Sequence, residues 1–545
     1  MIRLTAIALA ALAFATSTLA QTGQPANPTA AARAARPGGD EPMSDTGPVV
    51  ERRSERGAAA SERKISDADI ATAPVQEQAK ASHHSVTVGG RAIAYTATAG
   101  TLTLRDDDGK PTASMFYVAY VADGPKDPNR PVTFLYNGGP GSSSLFVHMG
   151  LFGPVHVMTD SPGATHSAPF TIADNPYSLL DKSDLVFLDA IGAGYSRPLG
   201  DTKGSAFWGV DQDIDAFARG IQRYVTINNR WNSPKFIFGE SYGTTRSAGL
   251  AYKLQENGLQ LNGVLILSSI LNYGVRDAGF DHIYVTYMPS YAATAVYHKR
   301  IPTPADQTAF LNEVRDWASG PYRVALAKGS NISDAELDAV ARKMSGYTGL
   351  SVDFLKRSNL RVDLARFRKE LLRDQRRTLG RYDSRFTGID YDAAGEQAEY
   401  DPSDTGIHGA YVAALHDHIE HDLGYVTALN YWPSGPNINQ AWDWKHKAPG
   451  QQRPSQVADT AQDLGLAMRQ NPHLMVYSLN GLYDMATPFF GTEYDLAHMQ
   501  LDPTLRGNVR FAYYPSGHMV YLNQDALKQL KSDVAKFYDE AVAKR

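Results

Sequence analysis

Three side chains far apart in the sequence carry the reactive chemistry: a hydroxyl, a carboxylate and an imidazole. The hydroxyl is Ser241, in Gly239-Glu240-Ser241-Tyr242-Gly243, which follows the apolar run "KFIF" and precedes the helix-like text "TRSAGLAYKLQEN". A G-x-S-x-G between a strand and a helix forms so sharp a turn that a side chain at either glycine would collide with its neighbours, and the turn lifts the serine above the sheet. A serine hydroxyl is a poor nucleophile at neutral pH. It needs a base, and the base needs an anion to hold its tautomer. "MVYSLNGLYDMATP" supplies Asp484 after one apolar run, and "RFAYYPSGHMVYL" supplies His518 after the next. The order Ser241, Asp484, His518 is the order in which a sheet of this type presents its acyl-transfer groups.

Acyl transfer also requires two backbone N–H donors aimed at the developing oxyanion. Tyr242, the residue after the nucleophile, gives one. The other belongs in an earlier glycine-rich loop, and "YNGGPGSSS" offers Gly138 and Gly139, whose missing side chains let a substrate carbonyl approach the backbone.

The elements that must position these groups are short apolar runs ending in turns: "VTFLYNGGPG", "SDLVFLDAIGAG", "KFIFGES", "NGVLILSSI", "HLMVYSLNG" and "VRFAYYPSG". Such runs, separated by helical text such as "DQDIDAFARGIQRYVTI", predict buried strands of a mostly parallel sheet flanked by helices. Before them, "HHSVTVGGRAIAYTATAGTLTLRDDDGKPTASMFYVAYVA" alternates with period two and predicts antiparallel strands. Between 282 and 450 amphipathic helical text takes over, which predicts an inserted, mainly helical cap between core segments 83–281 and 451–545.

The N-terminus "MIR" followed by "LTAIALAALAFA" and "TSTLA" has the layout of a signal peptide over 1–20, too short an apolar stretch to favour a membrane anchor. Residues 21–82 are rich in Ala, Pro, Gly, Ser and charge and read as a disordered leader. Export without a single cysteine excludes disulfides and a cysteine nucleophile, and suits a periplasmic or secreted bacterial protein. A net charge of −5 gives no electrostatic reason to expect nucleic acid or an anionic membrane as a partner.

At these blocks the chain resembles the serine carboxypeptidase family of α/β-hydrolases. "YNGGPGSSS", "NPYSLLDKSDLVFLDAIGAGYS", "GESYG" and "SGHM" match the family's blocks in order from Tyr136 to Met519. The resemblance implies Ser241 as nucleophile, Asp484 as orienting acid, His518 as general base, and Gly139 and Tyr242 as oxyanion donors. It implies that Asn137 and Glu240 hold the C-terminal carboxylate of a peptide substrate, with activity favoured at acid pH, and that neither metal nor organic cofactor takes part. Two positions of that recognition network depart from the family: Leu135 stands for its tryptophan and Leu151 for its glutamate. Ser142 stands for its cysteine.

The function expected is a secreted serine carboxypeptidase acting on peptides. The alternatives are an esterase, endopeptidase or acyltransferase on the same triad, and an inactive envelope-binding protein. Other constellations read more plainly. "HDHIEHD" (His416 to Asp422) is expected to be a solvated helix face rather than a metal cluster, and "RFRKELLRDQRRTLGR" a solvated cap helix. The aromatics of "ALNYWPSGPNINQAWDW" are expected to pack in a core rather than line the substrate cleft.

Overall fold

The computed structural model describes residues 73–544 except Lys126. The expected signal peptide and most of the expected leader lie outside these residues.

Nine strands form the body of one sheet: β1 (Ala79–Val88), β2 (Arg91–Arg105), β3 (Pro111–Ala122), β4 (Val132–Tyr136), β5 (Asp184–Leu188), β6 (Lys235–Glu240), β7 (Gly263–Leu267), β8 (Met475–Gly481) and β9 (Val509–Tyr514). They run side by side in the order β1-β2-β3-β5-β4-β6-β7-β8-β9, and Arg197–Pro198 pairs with β3 at the margin. β1 to β3 and the β3–β5 junction are antiparallel, whereas β5, β4, β6, β7, β8 and β9 are mutually parallel. This is the α/β-hydrolase arrangement. The strand expected to open near residue 83 starts at Ala79. The last ten residues of the expected leader are held as well, since Val75 O accepts from Thr103 Oγ1 at 2.7 Å and Glu77 pairs with Arg223.

The apolar runs of β4 to β8 are buried on both faces, as parallel strands covered by helices must be, whereas β9, expected as a buried strand, lies at the sheet edge and leaves Arg510 and Phe511 exposed. Phe236, Phe238, Leu265, Leu267 and Leu479 pack with Leu527, Leu530, Val534 and Phe537 in one layer. Ile237, Val264, Ile266 and Val476 face the other layer, beside Ile214, Phe217, Leu250 and Leu464. The covering helices are α1 (Val210–Ile227), α2 (Tyr242–Glu256), α3 (Ala461–Gln470) and α4 (Gln524–Ala543). Both family departures, Leu135 and Leu151, lie in the first layer at zero exposure.

The stretch expected as a helical cap holds the helices His282–Tyr297, Gln307–Trp317, Asp334–Thr348 and His408–Asp417, but also a two-stranded ribbon, Arg377–Leu379 with Thr387–Ile389. Its first half has its own core around Tyr287, Tyr291, Leu311, Val314, Met344 and Phe367, which reaches Tyr483 and Met485 beside the acid loop.

Two surface readings need correction. His418 is only 2% exposed, and its Nε2 lies 2.7 Å from the Tyr120 hydroxyl, which also meets His148 Nε2 at 2.6 Å. The helix turn that looked solvated therefore contributes one imidazole to a buried phenol–imidazole network. In the basic segment Arg368 and Lys369 are buried, and Lys369 Nζ pairs with Asp390 at 2.6 Å. Spacing alone does not show which cation of a mixed run turns inward. Among the described residues no helix is long and apolar enough to cross a membrane.

Candidate active site

The nucleophile turn begins where β6 ends. Ser241 has φ 60° and ψ −132°, a conformation a non-glycine residue occupies only when its surroundings enforce it. A serine at a helix N-cap ordinarily bonds its hydroxyl to the first-turn amides, but Ser241 makes no such bond at the start of α2, so its hydroxyl is not used up in capping. Glycine is required at position 239 because a Cβ there would lie 2.1 Å from the Gly243 carbonyl oxygen. The same holds for Gly138, whose Cβ would lie 2.4 Å from both the Tyr242 and Gly243 nitrogens. The early glycine loop thus lies directly against the first amides of α2, where the helix dipole and the unbonded N–H groups favour negative charge. Gly139 follows in the same turn with φ 99°.

Asp484 and His518 come from the turns after β8 and β9. His518 Nδ1 lies 2.8 Å from Asp484 Oδ2. The carboxylate is held from every side: Oδ1 accepts the Ala486 and Thr487 amides at 2.8 and 2.9 Å, and Oδ2 accepts the Thr487 hydroxyl at 2.8 Å. An acceptor at Nδ1 places the proton there and leaves Nε2 as the basic nitrogen. Burial works to lower the His518 pKa, but Asp484 at Nδ1, with Glu240 nearby, outweighs it and holds the imidazole above its ordinary value. The Ser268 hydroxyl donates to the His518 carbonyl at 2.6 Å, while the Ser241 amide donates to Leu267, one residue earlier, at 3.0 Å. One strand end therefore ties the base to the nucleophile.

The third link is not made. Among the described residues the buried His518 Nε2 has no hydrogen-bond partner, so the expected bond to Ser241 Oγ is absent. Such bonds are often long or misaligned in free enzymes and tighten around substrate. The structure joins acid to base and sets the nucleophile in its strained turn, but it does not close the triad.

Asn137 and Glu240 do meet, with Asn137 Nδ2 donating to Glu240 Oε1 at 3.0 Å. The amide's orientation is fixed because its Oδ1 accepts the Phe146 and Val147 amides at 3.1 and 3.0 Å, which leaves the NH2 for the carboxyl group. Burial is the main reason the Glu240 pKa is pushed up to about 7, with the His518 charge and the Tyr521 and Asn137 contacts pulling the other way. The Tyr521 hydroxyl lies beside Glu240, yet neither it nor Glu240 Oε2 makes a well-directed bond.

Several supports had no local signature. Arg246, fully buried on α2, donates to Asp213 Oδ2 from Nε at 2.7 Å and to the Asn137 carbonyl at 2.8 Å. It clamps the glycine loop onto the nucleophile helix. Its acid lies 33 positions upstream on α1, a separation at which no spacing rule operates. Thr487 did carry a faint signal, three residues after a turn aspartate. The aromatic stretch packs as expected: Trp442 meets the Tyr242 ring edge-on at 5.3 Å, and Trp444 lies 4.7 Å from Tyr273. Asp213→Ala is expected to cost about 3–5 kcal/mol of stability, because it leaves the Arg246 charge buried without its acid. Urea unfolding measures this, and a loss below about 1 kcal/mol would contradict the clamp.

The comparisons with known proteins cover part of the chain, and the family match includes Ser241 but not Asp484 or His518. A family model described as serine carboxypeptidase matches residues 93–294. Among curated proteins, a serine carboxypeptidase-like protein of Arabidopsis thaliana is 26% identical over 176 residues, 31% of this chain and 34% of its own length. A serine carboxypeptidase of Caenorhabditis elegans is 32% identical over 143 residues, 24% of each chain. The chain thus spans about a third or less of the length of these relatives. Among solved structures, a proline iminopeptidase of Mycobacterium smegmatis overlaps 81% of this chain and 99% of its own, at 14% identity and a TM-score of 0.34. A monoglyceride lipase variant of Saccharomyces cerevisiae overlaps 81% and 95%, at 11% identity and a TM-score of 0.34.

Proposed function

From the match of residues 93–294 to the serine carboxypeptidase family model we propose that the chain is an exported serine carboxypeptidase removing C-terminal residues from peptides through an acyl-enzyme. His518 Nε2 takes the Ser241 proton as Oγ attacks the scissile carbonyl, and Asp484 steadies the imidazolium. The Gly139 and Tyr242 amides bind the oxyanion. The imidazolium returns its proton to the departing amine as the C–N bond breaks. Water, deprotonated by the same imidazole, then attacks the ester carbonyl, releases the shortened peptide and restores the serine. The signal-like N-terminus and the absence of cysteine support export to a periplasm or medium.

One observation carries the exopeptidase reading: the buried Glu240, which directly precedes the nucleophile, pairs with Asn137 of the glycine loop, and its carboxyl is neutral below about pH 7. A neutral acid donates a hydrogen bond to a substrate carboxylate, whereas an ionised one repels it. A second reading is favoured by Leu135 and Leu151, which make two of the family's recognition positions part of an apolar layer. It is acyl transfer to water on esters or internal bonds, without selection for a free terminus. Mass spectrometry of a mixed peptide set, each peptide as free acid and as amide, tests the choice. Stepwise C-terminal loss confined to the free acids is the expected result. Equal rates on both forms would refute terminal recognition, and inertness toward peptides, esters and fluorophosphonates alike would leave an inactive binding protein.

A further inference from the structure

The tip of the two-stranded ribbon, residues 381–385, lies between the loops that carry the acid and the base. The Met485 amide donates to the Arg381 carbonyl at 3.1 Å and the Ser384 amide to the Tyr483 carbonyl at 3.0 Å, so the tip is bonded on both sides of Asp484. The His518 amide donates to the Tyr382 carbonyl at 2.6 Å, and the Tyr382 ring lies 5.2 Å from the imidazole. Contact with the base loop is so close that a Cβ on Gly517 would lie 2.4 Å from that of Asp383.

Arg385 connects the two loops directly. Its Nη1 donates to the Pro515 carbonyl at 3.0 Å and its Nη2 to Ser516 Oγ at 3.1 Å, three and two residues before the base. Its guanidinium carbon lies 5.6 Å from the centre of the Tyr483 ring, next to Asp484. Asp383, 1% exposed, fixes the fork through Nε at 2.9 Å and Nη2 at 2.5 Å. A planar fork with five donors can bond a carboxylate, a carbonyl and a hydroxyl at once while stacking on a ring; an ammonium group cannot reproduce that geometry.

We propose that Arg385, oriented by Asp383, is a positioning residue for catalysis: through the ribbon tip it sets the spacing between the Asp484 and His518 loops. The insertion then helps assemble the catalytic pair rather than only covering it. A displacement of about 1 Å between reacting groups costs on the order of 100-fold in rate, which makes such a spacer consequential without contact to substrate. The charges acting on the imidazole are Asp484, Glu240 and Arg381. Arg385 acts through the first of them, by holding its loop.

The test compares Arg385→Lys, Arg385→Gln and Ser516→Ala with the unaltered full-length protein. Ser516→Ala trims only the bond from Nη2 to Ser516 Oγ and guards against failure of the larger changes to fold. Lys369→Met breaks a buried ion pair elsewhere in the insertion and reports what general loosening does. Each variant is assayed per folded protein for kcat and KM, and by NMR for the low-field Nδ1–H resonance and the titration of His518. The Arg385 variants are expected to lose roughly 10- to 100-fold in kcat with KM within about twofold. Their low-field resonance broadens and the imidazole titrates at lower pH, Ser516→Ala falls between them and the unaltered protein, and Lys369→Met leaves all four readouts in place. An unchanged resonance and titration in the Arg385 variants would overturn the proposal, as would the same changes in Lys369→Met. The NMR readouts need no substrate, so they decide the inference even if the carboxypeptidase reading fails.

Discussion

Ser241→Ala lowers turnover by about 10⁵- to 10⁶-fold and abolishes labelling by a fluorophosphonate, with the fold intact. The size follows from the way such groups act: without the nucleophile, base and acid have nothing to activate, and only the oxyanion donors and substrate binding still accelerate attack by water. His518→Ala is expected to cost nearly as much, and the double variant no more than either alone, because the groups work as a unit. The substitution removes a hydroxyl that caps nothing and leaves the strained backbone as it was, so the melting temperature should hold. Residual turnover within 100-fold of the unaltered protein, after active-site titration rules out contamination, would remove Ser241 from the mechanism.

The pH dependence should separate the two carboxyl groups of the site by substrate. The base must be neutral to accept the serine proton, and the imidazole of His518 is held above the usual histidine value, so every substrate shows activity rising through a pKa above about 6.5. Glu240 must keep its proton to bind a carboxylate, and its pKa stands at about 7. Free-acid peptides therefore lose kcat/KM as pH rises past about 7, approaching tenfold per pH unit, and amidated or ester substrates do not. Exopeptidase turnover is then bounded on the acid side by His518 and on the alkaline side by Glu240. Glu240→Gln should erase the alkaline fall for free acids. It should also move the acid limb to lower pH, because a charge that helps hold the imidazole protonated is gone. A fall of the same size with amidated peptides, or one that survives in Glu240→Gln, would show that Glu240 does not read the substrate terminus.

The legible part of the site was the part written locally. A strand that stops at Gly239, a serine, and a helix after Gly243 specify a turn within ten residues, and the same holds for the glycine loop at Gly138 and Gly139. Asp484 and His518 were legible because each follows an apolar run of strand type, and a turn after a parallel strand opens at the same edge of the sheet. The mostly parallel character of the sheet followed from those runs, but its strand order did not. Less legible was the fate of charged side chains in mixed segments. Lys369 and His418 sit in text that reads as solvated, yet one pairs with Asp390 and the other meets Tyr120 inside the protein. Their partners lie on other elements, and neither propensity nor periodicity encodes where those elements arrive.

The sequence by itself determined which groups exist, in what order, and on what kind of turn each is carried, because strand runs, glycine turns and helix starts are governed by interactions among near neighbours. Tertiary structure decided their chemical state and their support. Glu240 holds its proton to about pH 7 because the surrounding core buries it. Arg246 secures the glycine loop only because α1 delivers Asp213 to it. The loops of Asp484 and His518 are braced by a ribbon from an insertion that carries no motif. Dielectric surroundings and the arrival of a distant partner are properties of packing, and packing is set by the whole chain at once.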